Sequence, residues 1–204
     1  MHPAAAFKTE DEAALLAHLS RHPFATIAAF ADGQLRLAHT PIVVRRLPGD
    51  LCIDFHLSRN NALAGALDAG FRAVLVSLGA HAYISPDWYG AADQVPTWNY
   101  VSCEAEGPVK TMDDLGLTAL LDDLSAQEEA RLAPKPLWTR AKMSPGRFEA
   151  MKRAIIGARL KVERLEGTTK LGQNKSEAER LGVVAALGDH PVAALMRAAI
   201  SPRG

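Results

Sequence analysis

Cysteine is nearly absent. Cys52 and Cys103 are the only two, and no C-x-x-C pair occurs. A disulfide-stapled scaffold is therefore excluded, and the usage fits a reduced, cytoplasmic protein. Long apolar runs are missing as well. No stretch approaches the roughly 18 residues that would span a bilayer, so no membrane partner is expected. Met1-His2-Pro3-Ala4 lacks the basic-then-apolar layout of a signal peptide. The usual chemical signatures are also lacking. There is no G-x-G-x-x-G and no G-x-x-x-x-G-K-[ST], which removes the common dinucleotide and nucleotide loops. There is no H-E-x-x-H, and the seven histidines are scattered, so no metal site is expected. No G-x-S-x-G elbow marks a nucleophile, and no catalytic residue is assigned.

What is present is a chain of 204 residues, 48% hydrophobic and 23% charged, long enough to bury a core without staples. Its net charge is zero, but unevenly spread. Residues 140–204 carry 13 basic and 6 acidic side chains, whereas residues 1–139 carry 10 and 17. That asymmetry fits an anionic ligand or nucleic acid at the basic end, or two surfaces that attract each other in a dimer.

The pattern along the chain is strand-rich. Thr9-x-x-Glu12 has capping-box spacing and opens a helix with Leu15, Leu16 and Leu19 on one face, ending at Pro23. Strands are predicted over 24–30 and 34–46, joined by a hairpin turn at Asp32-Gly33. Leu51, Ile53 and Phe55 alternate with Cys52, Asp54 and His56, as in a half-buried strand. A short helix is predicted over 58–67, a strand buried on both faces over 71–78, and a longer strand over 95–109 leaving at Pro108. Thr111 caps a helix with Leu115, Leu120, Leu121 and Leu124, and Ser144-Pro145 starts another. A strand follows over 155–165. Ser176-x-x-Glu179 is a second capping box, opening a helix to Leu187 that Gly188 stops. Residues 189–204 read as a short helix with a frayed end. Many short strands joined by hairpins, with helices attached, indicate an antiparallel barrel or sheet rather than a doubly wound parallel one.

Three segments are dense in chemistry. In His56-Leu57-Ser58-Arg59-Asn60-Asn61, a guanidinium beside a helix start either binds a phosphate or is a surface arginine next to a cap. His81–Tyr89 and Val95–Tyr100 together hold two of the three tryptophans and all three tyrosines. With their Ser, Thr and Asn neighbours they read as the wall of a planar-ligand pocket, or as an aromatic core corner or interface. In Lys170-Leu171-Gly172-Gln173-Asn174-Lys175, two lysines bracket amides, a set able to meet phosphate and ring carbonyls or a plain solvated loop.

Taken together, His22-Pro23-Phe24-Ala25-Thr26, His39 with Pro41, His56 with Arg59 and Asn61, His81–Tyr89, Val95–Tyr100 and Lys170–Lys175 resemble the PaiB family of FMN-binding negative transcriptional regulators. The resemblance runs to about Leu187. It implies a single domain over 1–187 with a C-terminal extension over 188–204. The implied fold is α+β, mainly β: an antiparallel split β-barrel with flanking helices, of the type shared with pyridoxamine-phosphate oxidases. It further implies a homodimer with FMN at the subunit interface. On this resemblance Arg59 contacts the phosphate with Lys170 or Lys175, next to Asn61. Ser85, Trp88, Thr97, Trp98 and Asn99 line the ring and ribityl chain, and Gln173 and Asn174 offer amide contacts. His56 and His81 are read as structural. Three departures stand out: Ala62 replaces a common Pro, Gly172 replaces a Ser, and the loop from Tyr89 to Val95 is short and has no basic residue. The family name also allows a second reading, a regulator that binds DNA directly through the helices between Ser176 and Ile200.

Overall fold

The structure is a computed structural model that describes residues 4–200. Residues 201–204, where the frayed end was predicted, lie outside the described residues. The chain divides into two compact units. One comprises Leu19–Ser77 and Glu104–Leu165. The other comprises the described parts of Met1–His18, Leu78–Cys103 and Glu166–Gly204.

The first unit is a barrel. Strands β2 (Phe24–Ala31) and β3 (Gln34–Leu47) form the predicted hairpin, with Asp32 and Gly33 both at positive φ (53° and 71°) as a tight two-residue turn demands. β4 (Asp50–Ser58) pairs with β3, and β7 (Ile155–Lys161) pairs with β4, all antiparallel. β5 (Phe71–Ile84) and β6 (Thr97–Thr111) begin or end in this unit. The strand order β6-β5-β2-β3-β4-β7, with β7 pairing back to β6 from Val109↔Leu160 to Thr111↔Ala158, closes the ring. Ile27, Ile53, Phe55, Leu75 and Leu160 fill its interior, each fully buried.

β4 departs from the predicted half-buried strand. Cys52, Ile53, Asp54 and Phe55 are all buried. Helix α2 (Asp114–Ala130) explains this, since its Leu117, Leu120 and Leu124 pack with Val43 outside the barrel wall. The cap of α2 is Asp113, whose Oδ1 accepts the Gly116 N–H at 2.7 Å, and not Thr111, which belongs to β6. On the covered face, Asp54 receives Arg159 Nε and Nη2 at 2.6 and 2.7 Å and Arg45 Nε at 3.0 Å. A buried carboxylate is tolerable only with such pairing.

Other local readings shift for identifiable reasons. Asp11, not Thr9, serves the start of α1 (Glu12–Arg21) by accepting the Ala13 N–H at 3.0 Å, while Thr9 sits in β1 (Lys8–Thr9). The helix predicted over 58–67 shrinks to a 3-10 turn, Ala64–Ala66. There Asn61 Oδ1 takes the Leu63 N–H and Ser58 Oγ takes the Asn60 N–H, bonds that compete with a helix. β5 is buried on one face only: Ala73 and Leu75 are buried and Leu78 is exposed. Pro108 lies inside β6 rather than at its exit, and the register to β7 starts one residue beyond it. Gly146 precedes the short helix α3 (Arg147–Lys152), so Pro145 lies outside it. The predicted strand over 155–165 is β7 followed by the start of β8 (Arg164–Lys170).

In the second unit the strand order is β1-β8-β6-β5. Ser176 and Glu179 form the predicted reciprocal capping box of α4 (Glu177–Leu187), and α5 (Pro191–Ile200) follows. Val183, Val184, Val192, Ala193 and Met196 join Ala82, Ile84, Tyr89 and Leu171 in one core. Gly182 is needed there, because a Cβ would stand 2.4 Å from the Trp88 carbonyl oxygen.

Two predictions concern the barrel. A Cβ on Gly107 would lie 1.8 Å from the Lys161 carbonyl oxygen. Gly107→Ala is expected to cost about 3 kcal/mol in urea unfolding, the upper part of the range for overpacking. Burial pushes the His56 imidazole below its ordinary titration range. The unfolded chain then binds that proton more readily, so this stability is complete above about pH 6.5 and is lost as pH falls. His56→Leu is expected to lose less stability than the parent between pH 7.5 and 5.5, measured by unfolding at both values.

Candidate functional site

The second unit contains a cavity of about 260 Å³ whose walls come from five segments: Phe7, Tyr89 and Val95, Thr97 and Asn99 on β6, Lys170 at the end of β8, and Gly172, Asn174 and Lys175 on the loop before α4. Alternation along β6 turns Thr97 and Asn99 to the cavity side. The loop folds tightly because Lys175 N–H donates to the Gly172 carbonyl at 2.9 Å, with Gly172 at φ +78°. A left-handed residue at that point suits glycine, which accounts for Gly172 more directly than loss of a serine hydroxyl.

Two cations face this space. Lys170 Nζ donates to Thr97 Oγ1 at 2.6 Å and stands 5.9 Å from the Phe7 ring centre. Burial pushes its ammonium below the ordinary lysine range. An ammonium that has lost water gains most from an anionic or carbonyl partner. Lys175 Nζ is held by Gln94 Oε1 and lies 4.9 Å over the Tyr89 ring. Gln94 Nε2 in turn donates to Glu179 Oε1 at 3.3 Å.

The decisive group is Asn99. It is 1% exposed, and its Nδ2 donates to Met196 Sδ at 3.4 Å. Its Oδ1 is sealed from solvent and has no partner. A buried carbonyl left without a partner costs about 1–3 kcal/mol, and Asn99 is one of the residues that line the cavity.

The structure thus brings together Thr97, Asn99, Lys170, Asn174 and Lys175 from the sequence reading. Gln173 instead staples the loop: its Oε1 accepts the Leu171 N–H at 2.8 Å and its Nε2 bonds the Thr169 carbonyl. Ser85 caps the 3-10 turn Pro86–Tyr89 through the Asp87 N–H, and Trp88 packs against the core of the second unit. Trp98 points away from Thr97 and Asn99 by strand alternation. It is 53% exposed and sits edge-on to Tyr83 at 6.2 Å and near His81 at 6.1 Å. The sequence reading grouped Trp98 with Thr97 and Asn99, which strand alternation would have separated, and nothing in the sequence signalled Phe7. Tyr89 and Val95 lay within the segments singled out but were not chosen. Arg59 and Asn61 belong to the barrel unit. Arg59 Nε donates to the Arg153 carbonyl at 3.0 Å, and Asn61 Oδ1 makes the turn already described.

A closed antiparallel barrel with flanking helices defines the class: a split β-barrel. Residues 1–164 match the family described as "Putative FMN-binding domain", and the chain belongs to that family. The PaiB resemblance is likewise upheld. The chain is 26% identical over 178 residues to "Protease synthase and sporulation protein PAI 2" of Bacillus subtilis (strain 168), covering 87% of this chain and 84% of that protein. Among solved structures it is similar to the FAD and heme binding protein from Mycobacterium smegmatis, with TM-score 0.59, 19% identity, and 90% and 81% of the two chains covered. It is also similar to the flavocytochrome Anf3 from Azotobacter vinelandii, with TM-score 0.54, 18% identity, and 83% and 72% covered. Those two likenesses establish the fold. The cofactor that the family supports is a flavin. No helix among the described residues is long and apolar enough to cross a membrane.

The orphaned Asn99 carbonyl separates a ligand role from a packing role. Asn99→Leu is expected to raise stability by about 1 kcal/mol, by removing an unmade hydrogen bond, while weakening flavin binding. Urea unfolding of the flavin-free protein and a fluorescence titration read the two effects, and loss of both stability and binding would make Asn99 merely structural.

Proposed function

We propose that the protein is a redox-active, FMN-binding split-barrel flavoprotein whose second-unit cavity receives the pyrimidine edge of the flavin ring. The observation that carries this is the pairing of a desolvated lysine donor, Lys170, with an orphaned acceptor, Asn99 Oδ1. A flavin pyrimidine edge offers carbonyl oxygens beside an N–H, the complement of that pair. A phosphate would leave Asn99 Oδ1 unpaired. The cavity volume of about 260 Å³ lies below the ~300–1,000 Å³ of whole-ligand pockets, which fits the reception of one end of the cofactor.

The bound flavin supplies hydride or single-electron transfer; the chain supplies position and charge. Thr97 Oγ1 accepts from Lys170 Nζ and so fixes the ammonium, which would offer positive charge to a bound ring. Asn174 and Lys175 complete the polar wall. Arg59, exposed and donating through Nε to the Arg153 carbonyl, is assigned to the phosphate as a separate part of the proposal, with Asn61 shaping its loop.

A homodimer accompanies this reading. Phe30 faces Leu35 across the β2–β3 ladder and Leu37 faces Ala28, and Phe30, Leu35 and Leu37 are 72%, 60% and 57% exposed. An apolar strip of that kind on a sheet face is what self-association would cover. A regulatory role in the cytoplasm, sensed through the flavin, rests on the family resemblance. Direct reading of DNA draws no support from α5, whose one cation, Arg197, donates to the Gly188 carbonyl at 3.0 Å.

Parallel titrations with FMN and riboflavin test the assignments. Lys170→Ala is expected to weaken both ligands about tenfold or more, as loss of a charged hydrogen bond does. Arg59→Ala is expected to weaken FMN alone, and Arg147→Ala neither. A colourless protein that takes up neither ligand would overturn the flavin reading. An unchanged Lys170→Ala would remove the cavity from it.

A further inference from the structure

A second cavity, of about 530 Å³, lies wholly within the barrel unit, where α2 and α3 face the barrel wall. Leu121, Leu124, Trp138, Phe148 and Met151 give it an apolar and aromatic lining, and His56 of β4 joins them. Its charged groups each have an ion-pair partner. Arg140 is paired with Asp122 at 3.1 Å and lies 5.0 Å over the Phe148 ring. Lys152, buried, is bound by Asp114 at 2.7 Å and Glu149 at 2.9 Å and also donates to Thr118 at 3.0 Å. Glu128 is paired with Arg131 at 3.3 Å. An ionic ligand would compete with these pairs, whereas a neutral one would not.

His56 is a polar group of the lining with an unpaired ring nitrogen. Its Nδ1 is sealed from solvent with no partner, while the ring as a whole is partly exposed and lines the cavity. Burial holds the imidazole below its ordinary titration range, so it is neutral at pH 7. A sealed nitrogen with no acceptor in reach is better left without a proton, which puts the proton on Nε2. The cavity is then a largely apolar slot in which His56 Nε2 is a neutral donor beside the Trp138 indole.

We propose that this cavity is a binding site for a neutral aromatic molecule of about two fused rings bearing one oxygen acceptor (a phenol, quinone or ring ketone), which accepts a hydrogen bond from His56 Nε2. The volume falls within the ~300–1,000 Å³ of small-molecule sites. The inference stands apart from the flavin reading, which uses other residues.

Isothermal titration with 2-naphthol, naphthalene and naphthalene-2-sulfonate tests it. The protein is expected to bind 2-naphthol saturably below about 1 mM, with the sulfonate at least about tenfold weaker because the cations of the lining already have carboxylate partners. His56→Leu is expected to weaken 2-naphthol about tenfold and leave naphthalene unchanged. Leu121→Trp fills the slot and is expected to abolish binding of both. Met151→Trp, at a position 56% exposed, does so from the rim should Leu121→Trp fail to fold. Lys170→Ala should leave 2-naphthol binding intact. Absence of saturable binding, undiminished binding in Met151→Trp, or displacement of 2-naphthol by FMN in equal proportion would each overturn the proposal.

Discussion

The barrel depends on a close approach of backbone to backbone. At Gly107 the β6 main chain comes so near the end of β7 that the Lys161 carbonyl occupies the space a methyl group would need. The Glu163 N–H then donates to the Glu106 carbonyl at 2.9 Å, and the β6–β7 ladder runs on from Val109. An open six-stranded sheet would leave two long edges as templates for pairing with other chains; closure removes them. One missing side chain is therefore a condition for the ring, and β6 carries the same backbone onward to Thr97 and Asn99 at the cavity.

Once the ring is closed, its interior is filled by one face of each strand, and the outer face of β4 needs its own cover. α2 supplies it with three leucines. The polar residues of that face then have to be satisfied in place. Asp54 solves this with two arginines from the neighbouring strands. His56, two residues on, has no partner for Nδ1 and stays neutral. The same layer that protects the barrel wall thus leaves one imidazole beside an apolar hollow.

Much of this architecture was legible in the chain. Asp32-Gly33 announced its hairpin because few sequences accept two successive positive φ values. Ser176 and Glu179 announced α4 because a capping box needs only local chemistry. The covered face of β4 was illegible for the opposite reason: Cys52, Asp54 and His56 look like a solvent face, and only a helix some 60 residues later along the chain buries them. In the cavity, Lys170, Asn174 and Lys175 stood out as a motif, and Thr97 and Asn99 as polar residues beside aromatics. Trp98 and Gln173 drew attention by residue type, yet one faces away along the strand and the other is consumed by its own loop. Phe7 was invisible, since nothing local marks a residue that reaches the cavity from the far end of the sequence.

The rim of the cavity has a mechanical aspect. Gln94 links Lys175 to Glu179, and Glu179 also accepts from the Ser176 N–H at the start of α4. The exposed segment of residues 91–96 is thereby moored to the helix through a single amide side chain. Any ligand that draws Lys175 inward competes with that mooring. Filling the cavity and loosening its rim are then opposite ends of one lever, with the helix cap as its fulcrum.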